Sequence, residues 1–257
     1  MLLLSAADVR LPVDANYRHD GEVCRPGNTG CRDQPRLLVV SVVVLLLCCT
    51  AGSGDGPIWG GGTVSSGGLG VLGVVGTAAD GVETLRTGLV EPAMALGWQV
   101  AVTLTPNAGR WLRANGEFDR LEALTGLPVR DAPRLPTEPR PHPVADCYVV
   151  APASANYVAK LAMGVADNQA LTQVSEALGT IGVPVVLFPR VNAAHARHPA
   201  WQGRIEALRK ADVDLVYGPD VWPLYEPRED PAVRELPWPT IIESIQQVAT
   251  ESARHPL

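Results

Sequence analysis

Wherever an apolar run of this chain stops, small residues and amide- or hydroxyl-bearing side chains follow. Gly76-Thr77-Ala78 closes the run "LGVLGVVG", Thr105-Pro106-Asn107 closes "WQVAVTL", and Pro152 to Tyr157 ("PASANY") follows "CYVVA". Arg190 and Asn192 come just after "PVVLF". A glycine, a hydroxyl and small residues at a helix entrance offer an anion free N–H groups, a positive helix end and room for close approach. Gly76 suits a plain tight turn equally well. Thr105 and Asn107 either bond a phosphate or cap the helix behind them. Two such ends on neighbouring strands favour one shared nucleotide-like ligand. Asn156, with a donor and an acceptor, suits a carboxylate or a ring edge. Arg190 either meets an anion or is solvated.

Other chemistries have less support. There is no G-x-S-x-G elbow, Ser154 has no histidine beside it in sequence, and Gly73-x-x-Gly76 is not a dinucleotide fingerprint. His195 and His198 share a helical spacing but lack a third ligand, so no metal site is expected. The Asp167-Asn168 pair has a structural reading too, because either residue can cap a new helix after Gly164 breaks the one before. No compact acid–base pair stands out, and any reaction here needs a cofactor.

The elements that must position these residues alternate. Leu69–Gly76 reads as a buried strand and Asp80–Leu96 as a helix. Trp98–Leu104 is a second strand, followed by helices over Ala108–Ala114 and Phe118–Thr125. The stretch "PVRDAPRLPTEPRPHPVAD" is too rich in proline for regular structure. Cys147–Ala151 is the third strand, Pro184–Phe188 the fourth and Asp214–Tyr217 a short fifth. Helices are expected after the third strand, over Trp201–Lys210 and over Ile241–Ala253. Strands apolar on both faces that alternate with helices imply an α/β fold, a parallel sheet covered on both sides. In such sheets ligands sit beyond the carboxyl ends of the strands, where the residues above lie.

The chain has 257 residues and a formal net charge of −6, with no Lys/Arg run to attract nucleic acid. Four of its five cysteines precede residue 50, and none has the spacing of a zinc or redox motif, so a reduced, cytoplasmic protein is expected. Residues 1–68 differ from the rest. The hydrophobic run Leu37–Cys49 falls short of the ~20 residues that span a bilayer, and a Gly/Ser-rich stretch resembling a linker follows. Such an irregular extension reads as a weak anchor, as an added element, or as sequence upstream of the true start; the last is favoured, and no stable membrane insertion is expected. Residues 69–257 form the functional domain.

"APASANY", then "GVADN", then "PRVN" with His198-Pro199, resembles the homo-oligomeric flavin-containing cysteine decarboxylases. That family includes phosphopantothenoylcysteine decarboxylase and the lantibiotic decarboxylase of epidermin biosynthesis. The first signature, Pro-Ala-Ser-Ala-Asn-Thr, is matched by Pro152 to Asn156, with Tyr157 in place of Thr. Of the second, Pro-x-Met-Asn-x-x-Met-Trp, Pro189 and Asn192 match, while Val191, His195 and Ala196 replace Met, Met and Trp. The resemblance spans about residues 69–225. It implies a Rossmann-like (flavodoxin-like) three-layer sandwich, a trimer or a multiple of one, with FMN held between subunits. It further implies Gly76, Thr77 and Ala78 at the flavin, Thr105 and Asn107 near its phosphate, and Ser154, Ala155, Asn156 and Tyr157 along its ring. Asn192 would hold the substrate carboxylate, and Trp222 and Tyr225 would belong to a lid. The implied reaction is oxidative decarboxylation of a C-terminal cysteine or similar thiol acid. Glu138 stands where the family has its catalytic histidine, and His142 is the nearby candidate for that role. No cysteine follows Cys147, which speaks against the coenzyme A branch, as does the lack of a fused synthetase domain. Two alternatives are a flavoprotein of this fold acting on another small acid or redox substrate, and a non-catalytic partner protein.

Overall fold

Alternation along each apolar run decides the layers. The computed structural model describes residues 68–229 and 235–254. The extension, its hydrophobic run and its Gly/Ser stretch fall outside these residues, except for Gly68. Strands β1 (Gly70–Gly76), β2 (Trp98–Leu104), β3 (Cys147–Ala153), β4 (Val185–Pro189) and β5 (Asp214–Leu215) form one parallel sheet in the order β2-β1-β3-β4-β5. Leu72, Val74, Val100, Val102, Val149 and Phe188 point to one face and are fully or almost fully buried there. Val75, Val150, Val185 and Leu187 point to the other. This period of two in strands buried on both sides is what a parallel sheet between helical layers requires.

The first face is covered by a mixed helical segment, by α2 (Pro106–Ala114), α3 (Glu117–Thr125) and α8 (Trp238–Arg254). The second face is covered by α4 (Ala155–Ala162), α5 (Gln169–Leu178) and α7 (Trp201–Lys210). The three-layer α/β sandwich expected from the sequence is therefore the fold. Its strand order reverses direction between β1 and β3, which leaves a crevice beyond their carboxyl ends.

The differences from expectation are local and have physical causes. The helix expected over Asp80–Leu96 is a 3₁₀ turn (Val82–Thr84), a π turn (Arg86–Val90) and α1 (Glu91–Ala95). Pro92 cannot donate to the carbonyl four residues back, and Glu91 N–H donates to Arg86 O, five back. Gly88, within the wide turn, lies against the Trp238 ring, where a Cβ would stand 2.3 Å from Cδ1. Helix α2 starts at Pro106, a residue well suited to a first helical position. Strand β3 runs on to Ala153, and β5 is a two-residue edge strand. A short helix not anticipated, α6 (Ala193–Ala196), follows Asn192.

Candidate functional site

A crevice of about 690 Å³ opens at the carboxyl edge of the sheet. That size falls within the ~300–1,000 Å³ typical of small-molecule sites. Its walls are the loops after β1, β2, β3 and β4, so most of the residues singled out in the sequence converge there. Ala78, Thr105, Asn107, Ser154, Ala155, Asn156, Tyr157 and Asn192 all line it.

Thr77 holds two of these loops together from behind. Its fully buried hydroxyl donates to Pro152 O at 2.8 Å and accepts from Ser154 N at 2.8 Å. Its own N–H donates to Pro152 O at 3.3 Å. Gly76 also sits behind the lining; its carbonyl accepts Thr105 N–H, and a Cβ there would stand 2.8 Å from Leu104 Cδ2. Gly76 and Thr77 thus shape the crevice, and Ala78 is the first residue of that loop to face it.

Three of the helices entering the crevice are closed by their own caps. Ser154 Oγ accepts from Tyr157 N, Asn168 Oδ1 from Leu171 N, and Asn192 Oδ1 from His195 N. Helix α2 differs: Thr105 makes no side-chain cap, so the first N–H groups of α2 lack a partner of that kind. Asn156 is exposed, and its amide makes no hydrogen bond to the described residues. Asn192 bonds through its oxygen and leaves the NH₂ end to the crevice.

Tyr157 contributes bulk and no polar group. It is 2% exposed, its hydroxyl donates to Ala170 O at 3.0 Å, and burial pushes its ionisation well above the usual range. Asp167 accepts from Lys160 Nζ at 2.5 Å, and this bond holds its carboxyl below the usual carboxylate range. Asn168 takes the capping role that the sequence left open between the two residues. Cys147 is buried in β3 with its thiol pushed up to about 12 by burial and so is no nucleophile.

His142 is not brought to this crevice within one chain. It lines a separate cavity of about 350 Å³ over the middle of β1 and β2. There its Nε2 lies 2.6 Å from Pro128 O, and burial pulls its protonation below the usual imidazole range. Glu138 caps a turn of the Pro-rich stretch through Leu135 N and stands in neither cavity. Trp222, expected at a lid, is core: it is 6% exposed and packs edge-on against Phe188. Tyr225 does reach the crevice, and its carbonyl accepts Ala193 N–H at 2.9 Å. Among the described residues no group of three or more His, Cys, Asp and Glu side chains is placed to hold a metal ion, and no helix is long and apolar enough to cross a membrane.

Sequence reasoning missed Asp80, Trp111 and Lys160, which also line the crevice. Helical spacing carried the signal for two of them. Trp111 lies one turn after Asn107, and Lys160 one turn after Asn156.

The Flavoprotein family model matches residues 83–250, about two thirds of the chain. The chain belongs to the Flavoprotein family. A curated cysteine/cysteine sulfinic acid decarboxylase from an unknown prokaryotic organism is 36% identical over 72 residues, which are 28% of this chain and 19% of that protein. The match thus spans about a fifth of the relative's length. Among solved structures, cypemycin decarboxylase CypD superposes with a TM-score of 0.52 at 19% identity, over 71% of this flavoprotein and 94% of CypD. The FMN-dependent cysteine decarboxylase TvaF from thioviridamide biosynthesis gives 0.50 at 24% identity, over 73% and 100%. These likenesses establish the fold. The crevice suits a flavin on its own evidence: an uncapped helix end for an anionic tail, small residues at Ala78 and Ala155, and a free amide at Asn156.

Proposed function

We propose that this flavoprotein binds FMN and oxidatively decarboxylates a cysteine-type thiol acid, such as the C-terminal cysteine of a modified peptide. The observation that carries the reading is the crevice at the β1/β3 reversal, where the open N-terminus of α2, the unbonded amide of Asn156 and the NH₂ end of Asn192 face one space. The order 2-1-3-4-5 is the flavodoxin-like one, in which ligands gather at this switch point, as FMN does in flavodoxin.

Thr105 and the first N–H groups of α2 hold the FMN phosphate. Ala155 and Asn156 line the ring, with Asn156 reading its polar edge. Asn192 binds the substrate carboxylate through its NH₂ end and orients the thiol-bearing carbon. The bound flavin supplies a two-electron sink for that carbon. Carbon dioxide is then lost as charge passes to sulfur, so the peptide loses CO₂ and two hydrogens. Thr77 keeps the β1 and β3 loops in register while this occurs.

FMN lies between copies of the chain in a trimer or a multiple of it, in the cytoplasm. In such an assembly His142 meets the reacting centre only from a neighbouring copy. The test is mass spectrometry of a cysteine-ended peptide incubated with the FMN-loaded protein. Loss of CO₂ plus two hydrogens, strongly slowed by Asn192→Ala, is expected. Intact peptide at full FMN occupancy favours the non-catalytic alternative.

A further inference from the structure

Arg190 enters the crevice from the end of β4 with its side chain only 7% exposed. Its backbone N–H continues the sheet pattern to Ala153 O. Its Nε is buried and has no hydrogen-bond partner among the described residues. The guanidinium carbon lies 5.2 Å from the Trp222 ring centre and 4.8 Å from that of Tyr225, so two aromatic residues fix the group in place. Its nearest carboxylate among the described residues is Asp80, 3.8 Å away and 72% exposed. That distance is too long for a hydrogen bond, and water screens the pair. The other acid of the crevice, Asp167, is already held by Lys160.

Removing a guanidinium from water is costly unless its donors are matched. Ring faces attract the charge, yet they accept none of the in-plane N–H bonds. Burial keeps water from the Nε, so solvation does not satisfy that donor. What remains is a rigid planar fork with unmatched donors, whose natural complement is a pair of carboxylate or phosphate oxygens.

We infer that Arg190 is the oxyanion receptor of this crevice, taking an acidic group of the bound ligand on its guanidinium. The group is either the phosphate of the flavin or the carboxylate of the thiol acid. Only the choice between these two sources rests on the proposed function. The position lies between Pro189 and Val191, where the family signature leaves the residue free, so it is a feature of this chain.

The test is calorimetric titration of the full chain, comparing wild type with Arg190→Met and Arg190→Lys. Two ligand pairs are used, each differing in one acid group: FMN against riboflavin, and N-acetylcysteine against N-acetylcysteamine. Methionine keeps an apolar stem between Trp222 and Tyr225; lysine keeps the cation without the fork, and decides alone if the methionine variant does not fold. Arg190→Met is expected to weaken one acid about tenfold or more while its uncharged counterpart binds as to wild type. Arg190→Lys is expected in between. Loss confined to FMN assigns the phosphate, and loss confined to N-acetylcysteine assigns the carboxylate. The inference is overturned if the variants bind both acids as wild type does, if both members of a pair weaken alike, or if wild type prefers neither acid. A wild type that takes up neither flavin contradicts the flavoprotein reading instead, and the thiol pair then decides Arg190.

Discussion

The carboxyl-edge crevice and the cavity around His142 draw on the same sheet at different heights. The cavity has its floor at the middle of the strands, on Gly73, Ala101, Thr103 and Tyr148, and its wall in the Pro-rich stretch. Several polar groups there are committed to their own loop. His142 bonds Pro128 O, Arg130 bonds Ala132 O, and Arg134 bonds the carbonyls of Leu135 and Glu138. In the crevice the backbone presents groups that local bonding does not use up: Asn156, Thr105 and the Nε of Arg190. The difference teaches that binding capacity follows from where strand ends and helix starts meet, because the caps there use only part of the polar groups. A proline-rich loop has fewer N–H groups, and its arginines serve its carbonyls.

The largest expected effect is on turnover. Asn192→Ala should lower kcat/KM for a cysteine-ended peptide about 100-fold, the scale of losing one oriented polar contact to a reacting group. Because Asn192 also caps α6, Asn192→Ser is the sharper variant, since serine keeps a capping oxygen and loses the amide donor. Unchanged turnover in both would break the contrast. Next comes Thr77→Val, which strands Ser154 N, leaves Pro152 O only the Thr77 N–H, and should cost about 1–3 kcal/mol in urea unfolding. Flavin retention should fall with it, since the β1 and β3 loops lose their tie.

Gly73→Ala probes the other region. A Cβ there would meet the Tyr148 ring at 2.5 Å, so a cost of about 1–3 kcal/mol is expected, with flavin affinity unchanged. Loss of flavin affinity would show that the two regions are coupled. The smallest effect concerns pH. Burial lowers the folded-state protonation of His142 below its ordinary range, about 6.5. The unfolded chain therefore binds the extra proton first, and stability present above that range is lost as pH falls through it. His142→Asn should flatten the melting temperature below about pH 6.5, and an unaltered slope would contradict the burial.

Most of the sheet was legible because each strand is a short apolar run ended by turn residues. Trp98–Leu104 and Trp201–Lys210 match the expected bounds without adjustment. The crevice was legible for the same reason: strand ends can be read from sequence, and ligands gather at them. Side-chain direction was not legible. Thr77 and Tyr157 belong to the right loops but turn inward, where their hydroxyls meet the carbonyls of Pro152 and Ala170. Arg190 gave no sign of its burial, which depends on Trp222 and Tyr225 more than thirty residues on. The π turn at Arg86–Val90 likewise depends on Pro92 and on packing from Trp238.

The most direct measurement is the visible absorption spectrum of the purified full chain, with the released chromophore identified by chromatography. A yellow protein that releases FMN, and that regains it after stripping with about one flavin per chain, is the expected result. A colourless protein that fails to take up added FMN would contradict the central claim that this crevice is a flavin site.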